Sequence, residues 1–280
     1  MANSSQLYLW NDRTLYIGPA PQRSCLSFGS ACLVVFLDAN ATLRFQDQFV
    51  TAQTFLISSG CAFEVDRHQG RAAVLLLDSL GYEYHALQGT MMHRTPSYSW
   101  HSMTEKAVAQ TFRTIFRGNY GARDLYHWMR SLTRPEEYMK ASRYVHDARI
   151  EKAMTLIKNY GATPMDIMDC AQQVGVSVIE LEALFRRHLG LSIKGFRAWR
   201  LLGDTITYAA EGDDLGTASR KAGFRDEHQY LRVFSRHFGM HPRALAKYAQ
   251  GTDIYIYKKP IASEEPKEAL YSAPDFFELV

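Results

Sequence analysis

Long apolar runs are the first thing this 280-residue chain lacks. No stretch approaches the roughly 18 uninterrupted apolar residues that a membrane-spanning helix needs. The opening Met1-Ala-Asn-Ser-Ser-Gln-Leu has no basic cluster and no apolar core of a secretion signal, so the expected location is the cytoplasm. Cysteine is scarce too. Cys25, Cys32, Cys61 and Cys170 are scattered without metal-site spacing, and in a reducing compartment small buried thiols are expected, with a redox pairing among the first three as the alternative. His-x-His is missing: His68, His85, His93 and His101 stand apart, and Glu64 and Glu83 do not complete a cupin-type metal set. Neither a metal nor another cofactor is expected, and the chain reads as a non-enzyme.

What is present concentrates between Asp213 and Arg243. Leu215, Ala218, Ser219 and Ala222 mark one apolar helix face, Gly223-Phe224 a tight turn, and Tyr230, Leu231, Phe234 and Phe238 the buried stripe of a second helix. Asp226 can accept from the first free N–H groups of that helix, and Gly239 stands at its C-terminal cap. On the other face, His228, Arg232 and Arg236 recur every four residues. The pattern occurs earlier as well. Asp166, Ile167, Met168, Cys170 and Ala171 form a short helix, Gly175 a turn, Ser177 an N-cap, and Leu181, Leu184, Phe185 and Leu189 the next stripe, closed by Gly190. Between the copies, Ile193 to Ala210 reads as a connecting helical rod.

Ala171-Gln-Gln-Val-Gly-Val-Ser, Leu184-Phe-Arg-Arg-His-Leu-Gly, Arg200-Leu201, Ala222-Gly-Phe-Arg-Asp and Phe234-Ser-Arg-His-Phe-Gly-Met-His-Pro together resemble the DNA-binding domain of the AraC/XylS family of transcription regulators, over about residues 145–249. The resemblance implies a sequence-specific binder of double-stranded DNA. Its two recognition helices, about 177–189 and 226–238, would enter successive major-groove segments. Base contacts are then expected from His228, Gln229 and Arg232, with Arg232 bidentate to guanine, and from Ile179 and Glu182 in the first unit. Phosphate contacts are expected from Arg186, Arg187, Ser235 and Arg236.

Glu180 and Glu182 depart from the family's pattern, since a carboxylate repels phosphate but can accept from the cytosine amino group. Asp204 beside Gly203 departs too, and puts the rigidity of the rod in question. Charge is no guide by itself at a net +3, but residues 141–250 hold 16 Lys+Arg against 12 Asp+Glu, while residues 251–280 hold 3 against 6. Recognition must rest on where the cations stand rather than on a general positive field. The competing function is a protein-interaction module or anti-activator that keeps the fold without specific DNA binding.

The rest of the chain gives an α+β architecture. Residues 1–100 hold short apolar runs (Gln6 to Ile17, Leu26 to Leu37, Thr42 to Phe45, Thr54 to Ser58, Cys61 to Val65, Ala73 to Asp78) separated by turn residues, as in a small barrel or sandwich. The resemblance implies a cupin-like β-barrel there that binds a small effector. Phe28, Phe36, Phe45, Phe55 and Phe63 could line a pocket or be plain core. Residues 101–140 read as a helical hairpin, which either packs on the barrel or, as the resemblance implies, supplies a homodimer interface through Phe112, Ile115, Phe116, Leu125, Trp128 and Met129. Residues 141–250 are the double helix-turn-helix domain, with RNA polymerase a further candidate partner. Residues 251–280 form an acidic extension in which Ile254-Tyr-Ile-Tyr257 could add an edge strand, ahead of a terminal Phe276-Phe-Glu-Leu-Val280. The extension is either a frayed tail or docks in cis.

Overall fold

A computed structural model describes residues 5–10, 13–20, 25–66, 68–77, 82–118, 120–133, 147–159, 165–238, 252–258 and 267–272. The expectations placed on Gly239 and Phe276 to Val280 lie outside them. The N-terminal part is strand-rich: β1 (Ser5–Trp10), β2 (Thr14–Pro19), β3 (Cys25–Leu26), β4 (Cys32–Phe36), β5 (Ala41–Phe45), β6 (Gln48–Ala52), β7 (Thr54–Ile57), β8 (Phe63–Val65) and β9 (Arg71–Leu76). Helix α1 (Tyr82–Gln88), strands β10 (Met91–Arg94) and β11 (Tyr98–Ser102), and helices α2 (Glu105–Arg117) and α3 (Ala122–Thr133) complete it. The C-terminal part is helical: α4 (Ala148–Asn159), α5 (Ile167–Val174), α6 (Val178–Leu189), α7 (Ile193–Ala210), α8 (Leu215–Ala222) and α9 (Glu227–Phe238). Strands β12 (Thr252–Lys258) and β13 (Lys267–Ser272) follow.

Among the described residues the strands form two sheets, the sandwich alternative of the strand pattern and not the closed barrel the resemblance implied. One is nine-stranded, in the order β10-β11-β7-β4-β9-β2-β1-β12-β13, and the other is four-stranded, β3-β8-β5-β6. Strand β4 shows why. Alternate side chains leave a strand on opposite faces, and Cys32, Val34 and Phe36 pack toward the small sheet with Leu43, Phe45, Phe55 and Phe63. Leu33, Val35 and Leu37 pack the other way, with Phe112, Ile115, Leu125 and Met129 of the helices. A strand covered on both sides is apolar throughout, and all five residues of β4 are buried. The five phenylalanines offered as pocket lining are this inter-sheet core, each no more than 7 % exposed.

This layering places most of the residues expected at a dimer interface in the core of their own chain. Phe112, Ile115, Leu125 and Met129 are at most 4 % exposed inside their own chain, and Phe116 packs on the same core. They cannot meet a second copy without leaving the sheet. Trp128, at 38 % exposure, faces out. Polar contacts fasten the layer: Trp10 Nε1 donates to the Ala122 carbonyl at 2.8 Å, Arg113 Nε to Leu37 O at 2.6 Å, and Thr54 N to Glu105 Oε1 at 2.8 Å.

The extension returns to the sheet. Strand β12 pairs in parallel with β1, from Ser5 opposite Thr252 to Trp10 opposite Tyr257, and Tyr255 stacks on Tyr8 with ring centroids 4.4 Å apart. It is not an edge strand, because β13 pairs outside it, antiparallel.

Candidate nucleic-acid interface

Two helix-turn-helix units are built by the same local devices. In the first, Asp166 Oδ1 accepts from Met168 N at 2.7 Å, Gly175 turns the chain at φ +82°, and Ser177 Oγ accepts from Glu180 N at 3.1 Å to open α6. In the second, Asp214 Oδ1 accepts from Thr217 N at 2.9 Å and Gly223 turns at φ +112°. Asp226 Oδ1 then accepts from Gln229 N at 2.7 Å while Gln229 Oε1 accepts from Arg225 N at 2.8 Å, a variant of the capping box reaching one residue before the cap, and the two bonds open α9. Glycine is required at both turns because a left-handed backbone costs any residue with a Cβ. The hydrogen bond from Arg225 holds the Asp226 carboxyl below its ordinary range, so it stays ionised at the cap.

The rod α7 runs unbroken for 18 residues and joins both cores. Ile193 and Phe196 pack with Leu181 and Phe185 of the first unit; Leu202 packs with Leu215, Tyr230 and Phe234 of the second. Asp204 is accommodated by Arg200, one turn earlier, at 3.2 Å. The charge placed on the rod is thus paired within it, and Gly203 leaves no break.

On α9, His228, Arg232 and Arg236 are exposed along one stripe, Ser235 is half-buried, and Tyr230 and Phe234 are each 2 % exposed on the other face. Gln229 uses its side-chain oxygen in the cap and keeps its amide group. On α6, Ile179 is 83 % exposed and Arg186 and Arg187 face solvent. Glu182 is engaged inside the chain: its carboxylate accepts from Ile193 N at 3.2 Å and from Arg186 at 3.1 Å. Glu180 accepts from Arg149 at 2.8 Å.

The sequence did not reveal what the β-sandwich does at the far ends of these helices. Ser27 N donates to the His237 carbonyl at 2.9 Å, and His237 Nδ1 lies 2.8 Å from the Ser27 carbonyl. A carbonyl only accepts, so Nδ1 carries the proton. Burial chiefly pushes the His237 pKa down, and the ring is neutral near pH 7. Trp199 of α7 packs against Phe28 and His237 at centroid distances of 6.1 and 5.2 Å. A Cβ on Gly29 would lie 2.3 Å from Trp199. At the end of α6, Ser59 Oγ donates to the Leu189 carbonyl, and a Cβ on Gly190 would lie 2.6 Å from Ser59 O. Two sandwich loops therefore grip the C-terminal ends of α6 and α9, while His228, Arg232 and Ile179 stay outward.

Residues 170–248 match the helix-turn-helix domain family. This match supports the AraC/XylS resemblance read from the sequence. ToxT of Vibrio cholerae has a similar fold. An apo lysine-to-alanine variant superposes with a TM-score of 0.59 at 12 % identity, over 85 % of this chain and 98 % of ToxT. Fatty-acid-bound wild-type ToxT gives 0.54 at 10 %, over 84 % and 95 %. A transcriptional regulator with an AraC-type DNA-binding domain from Chromobacterium violaceum is 25 % identical over 37 % of this chain and 94 % of that one, with a TM-score of 0.33. Among curated proteins no sequence match is found. No helix among the described residues is long and apolar enough to cross a membrane. The matched segment spans most of the two units described above.

Proposed function

We propose that the chain is a sequence-specific DNA-binding transcription regulator that inserts α6 and α9 into adjacent major-groove segments. The exposed stripe His228, Arg232, Arg236 carries this reading, because it stands on a capped helix whose opposite face is anchored by Tyr230 and Phe234. Arg232 presents a planar donor pair that fits O6 and N7 of guanine, His228 and the Gln229 amide reach neighbouring base edges, and Arg236, Ser235, Arg186 and Arg187 hold phosphates. The test is selection from a random duplex library at fixed salt, with Arg232→Ala alongside. The variant should lose preference at one guanine position by about 1–3 kcal/mol. A loss spread evenly over all positions would reassign Arg232 to phosphate.

The competing interaction-module reading rests on Glu180 and Glu182. Both carboxylates have partners in their own chain, which weakens the repulsion it relies on.

Two ToxT structures hold an unsaturated fatty acid and (E)-4-(8-methylnaphthalen-1-yl)but-3-enoic acid. We extend to this chain an effector of that class, an apolar body with a carboxylic acid. A rise in melting temperature on adding such acids would support it. The sandwich interior is filled by Phe36, Phe45, Phe55 and Phe63, so binding there requires these rings to move. A homodimer through α2 and α3 would have to use their outer face, around Trp128, and a contact with RNA polymerase has no residue assigned to it.

A further inference from the structure

The first unit can be assigned a base to read, and this inference rests on the DNA-binding reading above. Its reading helix can be aligned on the second from fixed points: the caps Ser177 and Asp226, and the buried pairs Leu181 with Tyr230 and Phe185 with Phe234, coincide at one constant offset along the chain. With that offset, Ile179 stands where His228 stands, Ala183 where Arg232 stands, and Arg187 where Arg236 stands. All six are exposed. The second unit thus presents imidazole, guanidinium, guanidinium, and the first presents a branched hydrocarbon, a methyl and a guanidinium.

Single exposed apolar side chains are common and by themselves mean little. Here the position matters. The N-terminal turns of a recognition helix are the part that meets base edges. Ile179 is 83 % exposed there, beside Val178 at 40 %. The nearby carboxylates that could accept from cytosine are spoken for: Glu180 is held by Arg149, and Glu182 by Arg186 and the Ile193 amide. On the outward stripe Ile179, Ala183, only hydrocarbon remains to touch a base. In the major groove thymine alone offers a methyl group in return, on its C5.

We propose that the first unit reads thymine, with Ile179 and Ala183 packing on C5-methyl groups and Arg187 on the adjoining phosphate. The composite target is then asymmetric: a thymine-methyl segment under α6 and a guanine-containing segment under α9.

The experiment starts from the duplex that the full-length protein selects. Each thymine in the half not affected by Arg232→Ala is replaced in turn by deoxyuridine, which keeps every hydrogen-bonding group and removes only the methyl. The wild-type chain should bind about fourfold more weakly for each methyl it reads, the size expected for one buried methyl-sized group. Ile179→Ala, a change at an exposed position that should leave the melting temperature unaltered, should weaken binding to the thymine duplex and bind thymine and uracil duplexes more nearly alike. A selected motif whose affinity ignores every thymine-to-uracil change overturns this proposal alone. So does an Ile179→Ala variant that keeps the full discrimination. If no motif is enriched at all, the DNA-binding reading falls and this inference with it.

Discussion

Arg13 and Glu83 lie 2.8 Å apart with side chains 3 % and 1 % exposed, and Arg13 also sits over the Tyr126 ring at 4.9 Å. Neither residue stood out in the sequence as a pair, because 70 positions separate them and nothing local marks either as buried. Glu83 was weighed only as a metal ligand. In the fold its carboxylate ties α1 to the turn between β1 and β2, and α3 covers the pair. Removing one member of such a pair strands a charge away from water, so Glu83→Leu should cost about 3–5 kcal/mol in a urea titration. Replacing both, as Arg13→Met with Glu83→Leu, should recover much of that loss. A Glu83→Leu protein as stable as its parent would mean that water reaches the site.

Elements whose signals are local were legible. The caps Ser177 and Asp226, with the turn glycines Gly175 and Gly223, mark helix ends within a few residues, and the structure has those helices where they place them; Asp166 and Asp214 cap the two shorter helices without having been read as caps. Strand β6 was missed because Gln48-Phe-Val-Thr-Ala is largely exposed and carries no clean alternation. Strands β10 and β11 were hidden by His93, His101 and serines. For β12 the alternation was visible but its partner was not, since β1 lies at the other end of the chain. Tyr255 is 6 % exposed against Tyr8, so Tyr255→Ala should destabilise the sheet domain by about 3 kcal/mol, the usual range for emptying a buried aromatic site. Truncation after residue 251 should do at least as much and leave β1 as an open edge prone to association. Thermal melting and sedimentation read both effects; a truncated chain that melts with the parent and stays dispersed would show that the hairpin contributes nothing.

At the scale of the whole molecule, the helix-turn-helix part meets the sandwich through the loops at Ser27 to Gly29 and Ser58 to Gly60. Sequence could not show this junction, because His237 and Ser27 are 210 residues apart. Its chemistry does make a checkable statement about pH. His237 is faced by Ser27, Trp199 and its neighbour Arg236, and its pKa is lowered chiefly by burial, as are those of His68 and His85. Above the ordinary histidine value of 6.5 both folded and unfolded chains hold these rings neutral, and the full stability is present. As pH falls below 6.5 the unfolded chain takes up protons first, so stability declines until the folded pKa values are passed. Urea midpoints measured between pH 7 and pH 5 should therefore fall. His237→Asn keeps a donor toward the Ser27 carbonyl and removes the titration, so the same series on that variant should decline less steeply. Parallel declines would assign the pH dependence to His68 and His85 within the sandwich. A shallower one would locate a share of it at the contact where the sandwich holds α9.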